Sequence, residues 1–321
     1  MTLAQLQSFV LVARHGSVKA AAAELEVTEP AVSVAVAALR KELGDELFVR
    51  NGRGIALTPG GRRLAALASE ILGLAEQARR SVPDSSSEPR RLVVAATALV
   101  AEHIGPLIEL FTARDDGLEI AVSEMPGGAF AEALEHRRAD IALGPGVGGN
   151  ASIASAPFLR CRLIIVAAPT HPLSSARAIS PSSLAAEHWL ASSVDASEGV
   201  GAFFARYGLA PRVSTFSSGA AAIAAAAAGE GIVLTLAHAV ADFVRRRALV
   251  RLDVRGTPIV EMWHASTLGV GRALPAALAL QRFATSSEAT QAISSGRAGA
   301  VSSGMRAKPH VTLWQSVARG V

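Results

Sequence analysis

The chain has 321 residues, of which 50% are hydrophobic and 18% are charged, a composition typical of a folded protein of two or three domains. The formal net charge of +4 permits a polyanionic partner without demonstrating one. We find no apolar run long enough to cross a membrane and no signal peptide, so we expect neither a membrane span nor secretion. One cysteine, Cys161, cannot form an intrachain disulfide, which fits a reducing cytoplasm.

Residues 1–58 are predicted to form three short helices followed by a β-hairpin. Apolar residues at helical spacing begin a first helix near Leu3, and Ser17 is placed to cap a second. Thr28 is placed to cap a third helix, which has Pro30 in its first turn and stops at Gly44. Two short helices about four residues apart, the second opening with small residues, are typical of a helix-turn-helix that enters the major groove of DNA.

Two short strands around Asn51-Gly52 indicate the hairpin. Arg50 and Arg53 lie on it and carry the charge that phosphates or a narrow minor groove attract. The alternative is that both arginines are simply solvated. Thr58-Pro59 then begins a long helix with a cap and a first-turn proline.

This stretch resembles the signature of the LysR-type transcriptional regulators. The matching positions, which extend over about the first 65 residues, are Leu6–Phe9, Gly16-Ser17, Ala21-Ala22, Leu25, Pro30–Ser33, Leu39, Leu43-Gly44, Leu47-Phe48, Arg50, Leu57-Thr58 and Gly61. Later segments at Asp140–Ala142, His171–Leu173 and Ala228–Ile232 also resemble recurrent family phrases. The resemblance covers residues 1 to about 285. It implies a cytoplasmic, oligomeric regulator with a winged helix-turn-helix and a two-lobed α/β effector domain of periplasmic-binding-protein type.

The resemblance also implies which residues contact double-stranded DNA. They are Lys19, Thr28, Glu29, Pro30, Ala31, Ser33, Val34, Ala37, Arg50 and Arg53. This chain departs from the family pattern at Glu29, where a glutamine is common, at Val34 and Ala35, where polar residues are usual, and at Arg40, where a glutamate is usual. Glu29 can accept a hydrogen bond from cytosine N4, and Val34 can offer apolar contact to a thymine methyl group.

Residues 59–82 form one long helical pattern with an apolar seam. The seam residues alternate spacings of four and three: Leu64, Ala68, Ile71, Ala75, Ala78 and Val82. A heptad of this kind predicts pairing with a second copy, and hence a homodimer or homotetramer. The alternative is that the seam packs on its own domain. Residues 83–90, with two prolines and small polar side chains, are interpreted as a hinge.

From 91 to 285, strand-like runs alternate with helical segments, which indicates parallel strands joined by crossover helices. The expected strands are 92–96, 118–123, 140–143, 163–168, 189–191 and 232–236, and the expected helices are 101–112, 130–137, 199–207 and 220–228. A glycine-rich loop, 144–149, separates two halves, so we expect two lobes around a cleft. An extended run follows this loop, whereas a dinucleotide-binding turn needs a helix there. Residues 286–321 are expected to be a partly disordered tail, with a strand-like run only at 311–314.

In such a domain, ligands bind at the carboxyl ends of strands and at helix N-termini, where free N–H groups favour an anion. The candidate effector-binding residues are Thr97, Ala98, Gly127, Gly128, Ser192, Ser193, Ser217 and Ser218, and helix capping is the alternative role for each. Leu99 and Val100 suggest a partly hydrophobic effector.

The sequence gives no sign of a metal, a cofactor or catalysis. The eight histidines never fall at metal-ligand spacing, and no nucleophile elbow occurs. Cys161 stands between Arg160 and Arg162, which leaves open a reactive thiolate or an ordinary buried thiol. We therefore expect a DNA-binding transcriptional regulator controlled by a small molecule. The alternative is a small-molecule-binding protein or an enzyme built on the same two-lobed domain.

Overall fold

A computed structural model describes most of the chain. The described residues are 1–51, 54–81, 90–115, 117–149, 151–193 and 198–294. They divide into two compact units, one formed by Met1–Arg90 with Glu135–Arg138 and the other by the remainder. The predicted hinge, 83–90, falls almost entirely outside the described residues.

The first unit has the predicted order of three helices, a hairpin and a long helix. Its elements are α1 (Leu3–His15), α2 (Val18–Glu24), α3 (Glu29–Leu43), β1 (Phe48–Asn51), β2 (Gly54–Leu57) and α4 (Pro59–Ser81). The caps are those predicted: Ser17 Oγ accepts from the Ala20 N–H at 3.2 Å, and Thr28 Oγ1 accepts from the Ala31 N–H at 3.4 Å. Gly44 ends α3 in the left-handed region at φ 64°, where a Cβ is disfavoured.

One apolar core joins these helices. Phe9, Val32 and Leu39 are fully buried, and the Phe9 and Phe48 rings lie 5.1 Å apart between centroids. Ala68 of α4 belongs to the same core. The long helix therefore packs its first turns against its own domain.

The junction between the hairpin and α4 depends on Asp45. Its Oδ1 accepts from the Leu47 N–H and from the Thr58 hydroxyl, both at 2.7 Å. Thr58 Oγ1 in turn accepts from the Gly61 N–H at 2.8 Å, so the carboxylate and the cap form one network at the start of α4. A Cβ at Gly61 would overlap the Leu47 carbonyl oxygen, which is why glycine is needed there.

The second unit is a mixed α/β domain. Its strands are β3 (Arg90–Ala96), β4 (Leu118–Glu124), β5 (Ile141–Pro145), β6 (Ile153–Ala167), β7 (His188–Ala191), β8 (Arg212–Thr215), β9 (Val233–Leu236), β10 (Val250–Arg251) and β11 (Ile259–Leu268). Its helices are α5 (Ala98–Ala101), α6 (Gly105–Thr112), α7 (Phe130–Glu135), α8 (Gly199–Tyr207), α9 (Gly219–Ala227), α10 (Ala241–Arg245), α11 (Pro275–Ala284) and α12 (Ser287–Ser294). Short 3₁₀ turns lie at Gly127–Ala129, Pro172–Ser175 and Pro181–Ala186.

Two long antiparallel strands, β6 and β11, connect the two lobes of this domain. The main sheet has the order β10-β6-β11-β5-β3-β4, and β9 also pairs with β6. In the first lobe β11 pairs with β5, and β5 pairs in parallel with β3. In the second lobe the carboxyl end of β6 pairs with β9, and β7 pairs in parallel with β8. The predicted two lobes are confirmed, with parallel pairs inside each.

The sequence prediction missed the connecting strands. We expected a strand only at 163–168, whereas β6 begins at Ile153, and β11 was not predicted at all. In β6 the exposed Arg160 and Arg162 alternate with the buried Cys161 and Leu163. Such alternation marks a strand with one solvated face, and a search for continuous apolar runs overlooks it.

The first part of the tail that the sequence predicted to be partly disordered is a helix. Residues Ser287–Ser294 form α12, and Ala289 and Ile293, one helical turn apart, are buried against the domain core. Alanine and serine dominate this segment and conceal its short apolar stripe. The strand expected at 311–314 lies outside the described residues.

No helix in the described ranges combines the length and the hydropathy needed to cross a membrane.

Candidate DNA-contacting surface and ligand cavity

Helix α3 has one buried face and one face open to solvent. Val32, Val36 and Leu39 form the buried stripe and attach the helix to the core of the first unit. The residues predicted to contact DNA are all exposed: Thr28, Glu29, Pro30, Ala31, Ser33, Val34 and Ala37. Val34 is 70% exposed although it is apolar, so its position is not explained by the core.

Two further elements carry the other predicted DNA contacts. Lys19 is exposed on α2. The Arg50 backbone lies in β1, where it pairs with Ile55, and its side chain is outside what the structure describes. Arg53 also lies outside the described residues. The contacts assigned to these arginines stay predictions.

Helix α4 has an apolar stripe that differs from the predicted seam. Ala68 is fully buried and Leu64 packs against the same core, so both face their own domain. Three large apolar side chains on this helix are exposed, Leu67 at 59%, Ile71 at 37% and Leu74 at 42%, and of these only Ile71 belongs to the predicted seam. Ala78 is also exposed, whereas Val82 lies outside the described residues. The spacing of Leu67, Ile71, Leu74 and Ala78 is again four, three and four.

A cavity of about 710 Å³ lies between the two lobes of the second unit. Its apolar lining includes Leu99, Val200, Ile223, Leu234, Phe243 and Ile293. Its polar lining includes Glu102, His103, Glu109, Ser192, Ser193, Glu198, Ser218, Thr235 and His238. Volume and composition both suit a small organic ligand, since such sites are mostly apolar with a few polar groups.

The predicted effector residues divide into two groups. Ser192, Ser193 and Ser218 line the cavity, and Ser218 also caps α9 by accepting from the Ala221 N–H at 3.2 Å. The other five, Thr97, Ala98, Gly127, Gly128 and Ser217, are not among its lining residues. Thr97 is 1% exposed at the start of α5, and its hydroxyl finds no partner among the described residues.

Two carboxylates bridge the lobes in opposite directions. Glu102, from the first lobe, accepts from the Gly219 N–H at the start of α9 at 3.0 Å. Glu198, from the second lobe, accepts from the Leu99 N–H at the start of α5 at 3.3 Å. One backbone donor at each of these two helix starts, where the sequence suggested an anionic ligand, is thus occupied by one of the chain's own carboxylates.

Two histidines lie edge to face at the cavity. The His103 and His238 ring centroids are 5.7 Å apart with an interplanar angle of 85°. His103 Nδ1 donates to the Leu99 carbonyl oxygen at 2.9 Å. Burial, with the neighbouring His103 as a second cause, lowers the pKa of His238 below its ordinary value. Its Nε2 is buried and has no hydrogen-bond partner in the described part of the chain.

Cys161 is a buried thiol in β6, directly opposite Glu261 of β11. Its sulfur donates to the Glu261 carbonyl oxygen at 3.6 Å. Burial, followed by the charge of Glu261, raises the pKa of Cys161 to about 12, so the thiolate form is disfavoured. Burial and the nearby Glu198 raise the pKa of Glu261 as well. Of the two alternatives left open for Cys161, the structure favours the unreactive one.

The charged residues of the cavity were not found from the sequence. Glu102 and Glu198 are 96 positions apart, and His103 and His238 are 135 positions apart, so no local spacing connects them. Only the fold brings them together. The described residues contain no group of three His, Cys, Asp or Glu side chains that could hold a metal ion.

A helix-turn-helix with an exposed second helix, a hairpin wing and a separate two-lobed domain around a cavity define the class of ligand-responsive DNA-binding proteins. Residues 3–62 match the bacterial regulatory helix-turn-helix protein, lysR family, and residues 85–288 match the LysR substrate binding domain. The chain belongs to the LysR family of transcriptional regulators.

Individual relatives agree with this assignment. The chain is 40% identical to an uncharacterised HTH-type transcriptional regulator of Mycobacterium tuberculosis, over 98% of this chain and 100% of that protein. It is 31% identical to the regulator CfxR of Cupriavidus necator, over 86% of this chain and 88% of the relative.

Solved structures share the fold at lower identity. ArgP from M. tuberculosis aligns with a TM-score of 0.58 at 20% identity, covering 88% of this chain and 97% of ArgP. Full-length LysG from Corynebacterium glutamicum, with the bound effector Arg, aligns with a TM-score of 0.56 at 19% identity, covering 89% of this chain and 98% of LysG.

Proposed function

We propose that this regulator binds a pseudo-palindromic operator through α3 and the hairpin, as a homodimer or homotetramer, and that a small molecule in the interlobe cavity controls the binding. The observation that carries the DNA-binding part is the exposed face of α3. Seven positions from Thr28 to Ala37 are open to solvent, while the opposite face holds the helix in its domain. A helix placed in this way can enter the major groove without unfolding its support.

Base recognition by this face is sparse. Glu29 is the one side chain of the exposed set that carries a charge, and it can accept from cytosine N4. Val34 and Ala31 can contact thymine methyl groups. Because few contacts read bases directly, DNA shape and bending between half-sites supply the remaining specificity.

The exposed stripe of α4 supports self-association. Leu67, Ile71 and Leu74 repeat at heptad spacing and leave a helix face on which a second copy of α4 can pack. A symmetric dimer presents two copies of α3 and therefore matches a partly symmetric operator.

The cavity supports control by an effector. Its volume of about 710 Å³ lies within the range of small-molecule sites, and it is bounded by both lobes, so an occupant contacts both. LysG, which shares the fold, holds its effector Arg. The proposal gives the chain no catalytic step and places it in the cytoplasm, where bacterial DNA lies.

The salt dependence of operator affinity tests the DNA-binding part. If Lys19, Arg50 and Arg53 each contact a phosphate in both subunits, six contacts form. The logarithm of the association constant should then fall with the logarithm of the salt concentration with a slope of about −5. Lys19→Ala should flatten this slope by about 2 without changing sequence preference. Arg212→Ala, which removes an exposed charge from the second unit, is the matched control. An unchanged slope in Lys19→Ala would remove that residue from the interface.

A further inference from the structure

We infer that the cavity between the lobes selects an organic cation with an apolar body, such as a primary amine, rather than an organic anion. This inference rests on the proposed effector function and names the chemical class of the effector. It reverses the expectation drawn from helix N-termini in the sequence.

The charges around the cavity have one sign. Glu102, Glu109 and Glu198 line it, and none of its described lining residues is a lysine or an arginine. Glu102 and Glu198 come from opposite lobes, so a cation between them is attracted from both sides. Glu102 and Glu109 are exposed and Glu198 is half-buried, so the attraction is strongest at Glu198, where water is partly excluded.

His238 does not supply a positive charge to the cavity. Burial lowers the pKa of His238, which keeps its imidazole neutral at pH 7. The lone pair of a neutral ring nitrogen can accept a hydrogen bond, and the buried Nε2 of His238 has no partner in the described part of the chain. An ammonium group has three donors for the carboxylate oxygens of Glu102 and Glu198, whereas a carboxylate has none.

One backbone donor at each helix start is also unavailable to an anion. The Gly219 N–H already donates to Glu102 and the Leu99 N–H to Glu198. An incoming carboxylate would have to displace both side chains and would then lie beside them. An ammonium group instead adds a partner to each carboxylate and leaves the two backbone hydrogen bonds in place.

The remaining wall of the cavity defines the rest of the ligand. Val200, Ile223, Leu234 and Phe243 present apolar surface, which favours a hydrocarbon body beside the charged group. The hydroxyls of Ser192 and Ser193 can bind one further polar substituent.

Matched ligands of one length test this inference. Hexylamine, hexanol and hexanoate differ in charge but hardly in shape, and their binding to the full-length protein is measured by calorimetry at pH 7. We expect hexylamine to bind about tenfold more tightly than hexanol, the difference that roughly one charge-assisted hydrogen bond supplies. We expect hexanoate to bind more weakly than hexanol.

Substitutions of the lining carboxylates then test whether these side chains cause the preference for the amine. Glu102→Gln combined with Glu198→Gln should reduce the preference for the amine from about tenfold to about threefold or less, a loss of at least about half of the free energy behind that preference. Glu119→Gln, on the exposed face of β4 and away from the cavity, should leave the preference unchanged. Should the double variant fail to fold, Glu109→Gln at the exposed side of the cavity must show a partial loss.

Three results would overturn the inference: tighter binding of hexanoate than of hexanol, equal affinities for all three compounds, or an amine preference that survives in the glutamine variants. Operator affinity, measured in the same samples without any of the compounds, tests the proposed function separately. Intact operator binding with no preference for the amine would support the proposed DNA-binding function and contradict only the inference that the effector is a cation.

Discussion

In the function proposed above, base recognition depends on a few side chains of α3. The exposed set contains the carboxylate of Glu29, the apolar groups of Pro30, Ala31, Val34 and Ala37, and the hydroxyls of Thr28 and Ser33. Thr28 is engaged as the helix cap. Long hydrogen-bonding side chains are absent from this described face, so one substitution can remove most of the direct readout.

Glu29→Gln should relax or switch base preference at one symmetric pair of operator positions. The neutral amide can pair with adenine, whereas the carboxylate can accept only from cytosine, and each good base contact discriminates by roughly 1–3 kcal/mol. The measurement is affinity for a set of operators altered one base pair at a time, with Glu119→Gln as control. An equal change for every operator would show that Glu29 does not read a base.

Asp45 links the stability of the wing to pH. Hydrogen bonds from the Leu47 N–H and from Thr58 hold the pKa of Asp45 below its ordinary value of 3.8. A lowered pKa contributes stability that is present above pH 3.8 and is lost as the pH falls through the folded-state value. Asp45→Asn should therefore lower the melting temperature at pH 7, and the difference from the unmodified protein should shrink as the pH falls below 3.8. A pH-independent difference would assign the effect to packing.

At the residue scale, local patterns placed the predicted DNA-contacting residues on the exposed face of α3 and three serines in the cavity, but not the carboxylates and histidines of the cavity. Thr28, Ser33 and their neighbours follow one another along one helix, so a local pattern suffices to place them. Glu102 and Glu198 meet only after the two lobes have formed. The serines after β7 and before α9 were found because strand ends and helix starts are visible in the sequence.

Among the elements, helix α4 carries two apolar stripes, whereas the sequence predicted one seam with two alternative roles. Its first turns pack Leu64 and Ala68 on the core of the first unit. Its exposed stripe, Leu67, Ile71 and Leu74, lies on another side of the helix. Alternating spacings of four and three fit both stripes, because residues three and four apart share a face wherever the register begins.

Leu74→Asp should weaken dimerisation and operator binding together. The charge would be placed in an apolar seam where it has no water to solvate it. Sedimentation over a concentration series measures the dimer, and Arg79→Ala, which changes a 74% exposed side chain on the same helix, is the control. An intact dimer with full operator affinity would show that this stripe faces something other than a second α4.

Secondary-structure elements were predicted correctly where the residues that define their ends lie within or beside the element. Helices α1 to α4 have caps, glycine stops and a first-turn proline, all readable locally. Strand β11 was missed because its partners, β5 and β6, are distant in the chain, whereas helix α11 was missed although its main partner, β11, directly precedes it. An element held by distant partners needs little local signal of its own.

Over the whole molecule, the division into a DNA-binding unit and a two-lobed unit was predictable from the sequence. A long helical pattern ends near residue 82, and a segment rich in proline and small polar residues follows it. The family signature in the first 65 residues reflects the needs of a helix-turn-helix, whereas the alternation of strands and helices beyond 91 reflects the packing of helices on a sheet. The sign of charge in the cavity was not predictable, since it depends on which carboxylates the fold brings to one place.

Footprinting on the DNA just upstream of this protein's own gene tests the central claim most directly, namely that the exposed face of α3 recognises an operator. The account predicts protection of a partly symmetric site with two half-sites about one helical turn or a multiple of it apart. Val34→Asp, which alters a side chain 70% exposed on α3, should fold with an unchanged melting temperature and lose that protection. Absence of any protected site at low salt, or the same footprint with Val34→Asp, would contradict it.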